Sequence, residues 1–208
     1  MSLNRIFCIG KNYAKHVAEL AHLGHPPDGE CVVFLKPPSC VVPEGEPIPL
    51  PRDRGPIHHE AELVVRLSGG GRDIPVERAL EHVEGLSLGL DLTARDLQTQ
   101  LKNKGAPWEL AKSFDGAAPL GAFRVYLGED LQALEFTFEV NGERRQHGHT
   151  RDMLYPVARQ IHILSRTWSL AKGDVIFTGT PEGVGPLAPG DRVVLASPQV
   201  GRFEWQCA

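Results

Sequence analysis

Short apolar runs interrupted by glycines and prolines dominate the chain, and this pattern predicts many short strands joined by tight turns. Valine, isoleucine, leucine and phenylalanine cluster in these runs, and β-branched and aromatic residues favour strands. We expect strands at Ile6–Ile9, Cys31–Leu35, Glu60–Leu67, Leu86–Leu90, Glu135–Val140, Val175–Phe177 and Arg192–Leu195. The Asn141-Gly142 pair follows the fifth of these runs and is a strong signal for a hairpin turn.

Helical spacing occurs in fewer places. Apolar residues three or four positions apart predict helices at Asn12–Leu23, Pro75–Val83, Ala94–Lys104 and Arg151–Trp168. Glycine-rich and proline-rich stretches predict loops at His22–Gly29 and at residues 43–56. The helices do not alternate regularly with the strands, which argues against a doubly wound parallel sheet. We therefore predict a β-rich α+β fold.

Two glutamates interrupt the apolar pattern of the third predicted strand. Side chains alternate between faces along a strand, so Glu60 and Glu62 point to one side while Ala61 and Leu63 point to the other. Carboxylates side by side on one face repel each other. Either this is the solvated face of an edge strand, which Arg66 would suit, or a divalent cation offsets the repulsion.

The composition adds mainly exclusions. The chain has 208 residues, 41% hydrophobic and 23% charged, a length that suits one globular domain with a substantial core. Its net charge of −4, without a cluster of basic residues, argues against general affinity for nucleic acid. We find no apolar run long enough for a signal peptide or a membrane span, so we expect a cytoplasmic protein without a membrane partner.

The four cysteines give no sign of a zinc or disulfide framework. No pair of them has the CxxC spacing, and no histidine lies at a zinc-finger distance from a cysteine pair. Their spacing therefore fits a reducing compartment. The cysteines are Cys8, Cys31, Cys40 and Cys207.

A third carboxylate follows another apolar strand. Asp91 comes directly after Leu86–Leu90 and before a predicted helix, so it either caps that helix or lies buried at a strand end, where it needs a partner. Together with Glu60 and Glu62 it would give three hard oxygen ligands, a set that suits Mg²⁺, Mn²⁺ or Ca²⁺ rather than zinc.

Two further features suit acid–base chemistry, although each also has an ordinary explanation. His16 and Glu19 lie three residues apart on the first predicted helix, so they form either a surface ion pair or a pair that polarises a water molecule. Lys112 lies between Trp108 and Phe114, where it is either partly desolvated or an ordinary extended side chain with its charge in solvent.

A glycine-rich loop follows the Val175–Phe177 strand. Residues 178–185 read Thr-Gly-Thr-Pro-Glu-Gly-Val-Gly, and the backbone amides of such a loop can bind an anion such as a carboxylate. It lacks the Gly-Lys-Ser/Thr ending of a phosphate-binding P-loop. The alternative is a plain turn.

Taken together, these segments resemble the fumarylacetoacetate hydrolase family. Each piece is weak alone, but they occur in the family's order and cover nearly the whole chain. The chain is most similar to the family's short acylpyruvase and oxaloacetate decarboxylase branch. The matching segments are residues 10–16, 34–37, 58–63, 90–96, 107–114 and 173–185.

The resemblance implies a mixed β-roll or sandwich built around a divalent-metal site. It implies one catalytic domain over residues 1–208, with a lid segment at about residues 10–30, and a homodimer. The metal is expected to be Mg²⁺ or Mn²⁺, with Ca²⁺ able to replace them in a crystal. The implied metal ligands are Glu60, Glu62 and Asp91. The implied catalytic residues are His16, Glu19 and Lys112, and the implied substrate-binding residues are Arg95, Gln98 and Thr180.

The same resemblance predicts a hydrolase that cleaves a C–C bond of an acylpyruvate-type 2,4-dioxo acid, such as fumarylpyruvate or acetylpyruvate. His16 and Glu19 would activate the attacking water, and the charge of the departing pyruvate enolate would be held by the metal and Lys112. Oxaloacetate decarboxylation yields the same enolate, so one site is expected to support both reactions. Lys11 stands where several relatives have arginine, so it offers an anion a point charge.

Two other functions stay open. The chain could be an isomerase or hydratase of unsaturated 2-oxo dicarboxylic acids in aromatic catabolism, similar to 2-hydroxyhepta-2,4-diene-1,7-dioate isomerase. The three carboxylates could also bind Ca²⁺ structurally in a non-catalytic module, which would leave the His16–Glu19 pair and Lys112 without a role. The adjacent His58 and His59 receive no role in any of these hypotheses.

Overall fold

The computed structural model describes residues 3–15 and 31–208, and strands form most of the regular structure there. The strands are β1 (Ile6–Gly10), β2 (Val32–Lys36), β3 (Val41–Pro43), β4 (Ile57–His59), β5 (Ala61–Leu67), β6 (Val83–Leu90), β7 (Thr93–Ala94), β8 (Ala118–Leu120), β9 (Arg124–Val125), β10 (Glu135–Val140), β11 (Glu143–His149), β12 (Val175–Phe177), β13 (Gly185–Leu187), β14 (Arg192–Ser197) and β15 (Gly201–Gln206). The α-helices that lie wholly within these residues are α1 (Arg95–Asn103), α2 (Glu109–Lys112) and α3 (Val157–Thr167), and residues 14–15 are also helical. The 3-10 helices there are Pro38–Cys40, Val76–His82 and Thr150–Asp152.

These strands form three sheets. The largest has the order β2-β1-β12-β5-β6-β8-β3, with β9 paired to β6. A four-stranded sheet has the order β11-β10-β14-β15, and a three-stranded sheet has the order β13-β4-β7. The β1–β12 and β3–β8 pairs are parallel, while β5 pairs antiparallel with both of its neighbours. All seven predicted strands are present, and the β-rich α+β class is confirmed.

Strand β5 lies in the middle of the largest sheet rather than at its edge. It is paired on one side with β12 and on the other with β6, and all but one of its residues are buried. The interpretation of Glu62 as part of a solvated edge strand is therefore wrong. Glu60 itself lies just outside β5, at the junction with β4.

The longest predicted helix begins later than the pattern indicated. We predicted Arg151–Trp168, whereas α3 begins at Val157, after Pro156, whose ψ of 153° is not helical. A proline disfavours helical geometry at the residue before it. That residue, Tyr155, forms two hydrogen bonds with the side chain of Asn12. The Tyr155 N–H donates to Asn12 Oδ1 at 2.7 Å, and Asn12 Nδ2 donates to the Tyr155 carbonyl at 3.1 Å.

Two other helix predictions have different outcomes. The helix predicted at Pro75–Val83 is present as a 3-10 helix over Val76–His82, which packs against α3. From residue 16 onward, the predicted helix Asn12–Leu23 and the loop His22–Gly29 lie outside the described residues. None of the described helices is long and apolar enough to cross a membrane.

The loop after β12 packs closely against the turn after β1. Gly179 has a φ of +101°, and a Cβ at this position would lie 2.5 Å from Asn12 Cβ and 3.1 Å from the Ile9 carbonyl oxygen. Only glycine adopts this conformation without strain. The close approach positions the Gly179 backbone for the contact with Glu62 described below.

We therefore expect Gly179→Ala to destabilise the protein more than a substitution at Gly190, which has a φ of +90° and nothing within 4 Å of its added Cβ. The backbone conformation costs both variants about 1–2 kcal/mol. The steric overlap should cost Gly179→Ala about 1–3 kcal/mol more. Urea unfolding of both variants measures the difference, and equal losses would contradict the close packing.

Candidate active site

The three predicted metal ligands lie together in the structure. Glu60, Glu62 and Asp91 are 5%, 2% and 2% exposed. One oxygen from each lies within 4.8 Å of the others. Asp91 has thus joined two glutamates that are distant from it in sequence in one buried carboxylate cluster.

Strand register explains the convergence. Ala61 of β5 pairs with Leu90 of β6. One residue beyond this pair, the Asp91 N–H donates to the Glu60 carbonyl at 2.8 Å. The N-cap residue of α1 is Ala94, and no side chain caps that helix. The interpretation of Asp91 as a helix cap is therefore wrong.

Lys112 binds two of these carboxylates. Its Nζ donates to Glu60 Oε2 and Asp91 Oδ2, each at 2.7 Å, and the side chain is buried. Burial lowers the pKa of Lys112, but Asp91 and Glu60 outweigh it and raise the pKa above its usual value. The lysine is therefore a buried ammonium group rather than a side chain extended into solvent.

Two more cations complete the charge balance around the cluster. Arg95 Nη2 donates to Glu60 Oε1, and Lys36 Nζ lies 2.9 Å from Asp91 Oδ1. Lys36 also donates to the carbonyls of Leu92, at 3.2 Å, and of Lys112. Sequence reasoning gave Lys36 no role, because its partner Asp91 is distant in sequence.

Glu62 has a different environment. Its Oε2 accepts a hydrogen bond from the Gly179 N–H at 2.7 Å, so the glycine-rich loop binds a carboxylate of its own chain. Burial, followed by the nearby charges of Asp91 and Glu60, raises the pKa of Glu62 well above its usual value. A bound cation would reverse that effect, because it favours the charged carboxylate.

The donor set fits a hard divalent cation. All three predicted ligands offer carboxylate oxygens, which Mg²⁺ and Mn²⁺ prefer, whereas zinc prefers nitrogen and sulfur. Buried carboxylates need compensating positive charge. A metal here would add to the charge that the cluster already draws from Lys36, Arg95 and Lys112.

The predicted substrate residues line the same pocket. Arg95 Nη1 donates to Gln98 Oε1 at 2.8 Å, one turn further along α1. Both residues, together with Thr180 and Lys112, line a pocket that also contains Glu60 and Glu62.

Two lysines add positive charge to the pocket wall. Lys11 and Lys102 both line it, and Lys102 Nζ lies 4.7 Å from the centre of the Trp108 ring. Burial, together with the nearby charge of Arg95, lowers the pKa of Lys102 to about 8. A pocket with these cations favours an anionic ligand.

Gln146 joins β5 to the glycine-rich loop, a role that sequence reasoning missed. Its Oε1 accepts from the Ala61 N–H and contacts His59 Nδ1, each at 3.0 Å. Its Nε2 donates to Thr180 Oγ1 at 2.8 Å and to the Pro181 carbonyl at 2.9 Å. No sequence signal marked it, because it lies in a polar run and its partners are distant in sequence.

The same network gives His59 a structural role. Its ring is buried and lies 4.5 Å from the Phe138 ring centre. Burial lowers the pKa of His59 to about 4, so the ring is neutral at physiological pH. The predicted catalytic residues His16 and Glu19 lie outside the described residues.

Comparison with known proteins identifies the family. Residues 5–207 match the model described as Fumarylacetoacetate (FAA) hydrolase C-terminal. The chain therefore belongs to the fumarylacetoacetate hydrolase family, as the sequence resemblance predicted.

Individual relatives have related activities. The chain is 38% identical to oxaloacetate tautomerase YcgM of Escherichia coli K12 over 93% of this chain and 88% of that protein. It is 42% identical to the mitochondrial oxaloacetate tautomerase FAHD1 of Homo sapiens over 90% and 84%. The structure of fumarylpyruvate hydrolase from Pseudomonas aeruginosa with Mn²⁺ and pyruvate superposes with a TM-score of 0.91, at 38% identity and coverage of 99% and 90%.

The environment of Glu62 gives a prediction about metal removal. In the presence of a chelator, Glu62→Gln should be at least as stable as the wild type at neutral pH. The substitution removes a buried carboxylate that Asp91 and Glu60 repel. Since a raised pKa means that the folded state holds the proton more tightly, the metal-free wild type should lose stability as pH rises through the titration of Glu62. Glu62→Gln should not show this loss of stability with rising pH.

Added Mn²⁺ should then raise the melting temperature of the wild type but not that of Glu62→Gln, because only the wild type keeps the full ligand set. Glu44→Gln, at an exposed position, is the matched control and should respond like the wild type. An equal rise in all three proteins would contradict a metal site at Glu62.

Proposed function

We propose that this chain is an enzyme that acts on a small 2-oxo acid and uses Mg²⁺ or Mn²⁺ held by Glu60, Glu62 and Asp91. The observation that carries the proposal is the contact of the Lys112 ammonium group with Glu60 and Asp91, in a pocket whose wall is rich in cations. When bound, the metal would act as a Lewis acid toward the oxygens of the 2-oxo acid.

Keto–enol tautomerisation of oxaloacetate is the reaction that the described residues support best. It moves a proton between C3 and the C2 oxygen and consumes no water. Lys112 holds a proton at Nζ and stabilises negative charge on the C2 oxygen through preorganised electrostatics. The tautomerase names of the Escherichia coli and human relatives support this choice.

Cations in the pocket wall suit the two carboxylates of oxaloacetate. Arg95, oriented by its hydrogen bond to Gln98, offers a planar donor group to one carboxylate. Lys102 and Lys11 offer point charges to the other. Thr180, held by Gln146, adds a hydroxyl group to the wall.

C–C hydrolysis of an acylpyruvate is the second candidate, favoured by the similarity to the fumarylpyruvate hydrolase structure with pyruvate. It shares the enolate chemistry but needs an activated water. We keep His16 and Glu19 as the proposed pair for that step. Oxaloacetate decarboxylation and the isomerase reaction would use the same pocket without that water.

Replacement of Lys112 tests the proposal. Lys112→Met should lower turnover of the favoured substrate by about 10²–10³-fold, because charge on the substrate oxygen loses its preorganised donor. The assay follows oxaloacetate enol absorbance in parallel with loss of acetylpyruvate and fumarylpyruvate. Lys104→Met, at an exposed position just after α1, is the matched control and should keep full activity.

The same assay also tests the role of the metal. Chelation should abolish turnover, and Mn²⁺ should restore it in the wild type but not in Glu62→Ala. Undiminished turnover in Lys112→Met, or in chelated wild type, would contradict the proposal, and the substrate panel decides between tautomerase and hydrolase.

The pKa of Lys102 gives a pH prediction. A lysine is charged below its pKa, so Lys102 should lose its charge as pH rises through about 8. The kcat/KM for oxaloacetate should therefore fall by up to about tenfold per pH unit above that point. Lys102→Met should show a smaller fall in kcat/KM above pH 8. Acetylpyruvate, which has one carboxylate, should also show a smaller fall than oxaloacetate in the wild type. An unchanged fall in Lys102→Met would mean that another group causes the pH dependence.

A further inference from the structure

A second group of metal-ligating side chains lies away from the pocket, on the outer face of the β10–β11 hairpin. Glu135 on β10 pairs across the ladder with His149 on β11, and Thr137 pairs with His147. Side chains two residues apart on a strand share a face, so both histidines project beside Glu135. The arrangement follows from strand register alone.

The three side chains are close enough to share one ion. His147 Nε2 lies 3.5 Å from Glu135 Oε2, and His149 Nδ1 lies 3.7 Å from the same oxygen. One ligand atom from each residue lies within 4.8 Å of the others. Ligands of a tetrahedral zinc ion with bonds of 2.0–2.2 Å are about 3.4 Å apart, so only small side-chain shifts separate this group from a zinc site.

We propose that Glu135, His147 and His149 form a second metal site, specific for a transition metal such as Zn²⁺, Ni²⁺ or Cu²⁺. Two imidazoles and a carboxylate suit these ions, whereas Mg²⁺ prefers oxygen ligands only. The site therefore differs in kind from the carboxylate cluster of Glu60, Glu62 and Asp91. It is independent of the proposed function.

The site is open to solvent and leaves a ligand position free. The side chains of His147, His149 and Glu135 are 39%, 32% and 43% exposed. Three protein ligands with a fourth, open position is the arrangement found in zinc sites that bind water or a small ligand. An ion can therefore enter without any opening of the fold.

The backbone beneath the site is held firmly. On the inner face of β11, Gln146 accepts a buried hydrogen bond from Ala61 of β5, and Gly148 packs against Phe136 so closely that a Cβ would collide with its ring. Arg145, the nearest basic residue along the strand, is paired with Glu143 at 3.0 Å. The two histidines therefore project from a well-packed strand, and the charge of the neighbouring Arg145 is balanced by Glu143.

The simpler alternative is a pair of cross-strand His–Glu contacts with no metal. The two explanations differ in what a transition metal does to the protein. Simple contacts predict no specific binding, whereas a site predicts nitrogen ligation of one ion per chain that depends on both histidines.

Titration of tag-free full-length protein with Zn²⁺, in excess Mg²⁺ to occupy the carboxylate cluster, measures the binding. The wild type should bind one Zn²⁺ equivalent per chain that His147→Gln/His149→Gln loses. His82→Gln, at a partly exposed histidine away from this hairpin, is the matched control and should keep it. Glu135→Gln leaves both imidazoles in place and should weaken the binding.

Cu²⁺ electron paramagnetic resonance gives a second readout that does not depend on enzyme activity. The wild-type spectrum should show coupling to two nitrogens, and the double variant should lose it while its circular dichroism stays unchanged. A Zn²⁺ isotherm and Cu²⁺ spectrum that are the same in the double variant as in the wild type would overturn the proposal. Unweakened binding in Glu135→Gln would also overturn the three-ligand site.

Discussion

Burial of three carboxylates is the constraint on which the rest of this structure depends. Charges taken out of water are costly unless they are paired and hydrogen-bonded. Here the β5–β6 register brings Glu60 and Asp91 together, and Lys112 bridges them with two 2.7 Å hydrogen bonds. Loss of one partner of such a buried pair costs about 3–5 kcal/mol, so residues that line the candidate active site also stabilise the fold.

The distribution of positive charge around the cluster connects stability with function. Lys36 and Arg95 contact Asp91 and Glu60, while the Glu62 carboxylate accepts a hydrogen bond from the Gly179 backbone. The raised pKa of Glu62 marks the place where additional positive charge is most favourable. This uneven distribution is the physical reason to expect a divalent ion beside Glu62 rather than a purely structural salt-bridge network.

Local patterns marked the three carboxylates because the rules involved act over a few residues. The strand period of two placed Glu60 and Glu62 on one side, and the end of an apolar run marked Asp91. The family resemblance then added Arg95 and Gln98 and gave Lys112 a catalytic role, and the structure places these three residues in one pocket. The solvated-edge alternative failed because the position of a strand within a sheet is set by partners distant in sequence.

The same limitation explains what the sequence did not reveal. Lys36 contacts Asp91, and Gln146 reaches Ala61 and Thr180, through pairings that no local pattern encodes. The start of α3 was misplaced because the helical spacing of apolar residues extends across Pro156. A proline disfavours helical geometry at the residue before it, so the helix begins only after Pro156. Sheet order and buried polar networks are therefore the parts of this fold that required the structure.

We propose that Glu60, Glu62 and Asp91 hold a divalent ion in the pocket that contains Lys112. Anomalous diffraction at the manganese edge, from crystals grown with Mn²⁺ and oxalate, would locate that ion. We expect one manganese peak bounded by the three carboxylates, with oxalate contacting it on the side of the pocket. A peak elsewhere, or carboxylates that remain paired only with Lys112, Lys36 and Arg95 at saturating Mn²⁺, would contradict it.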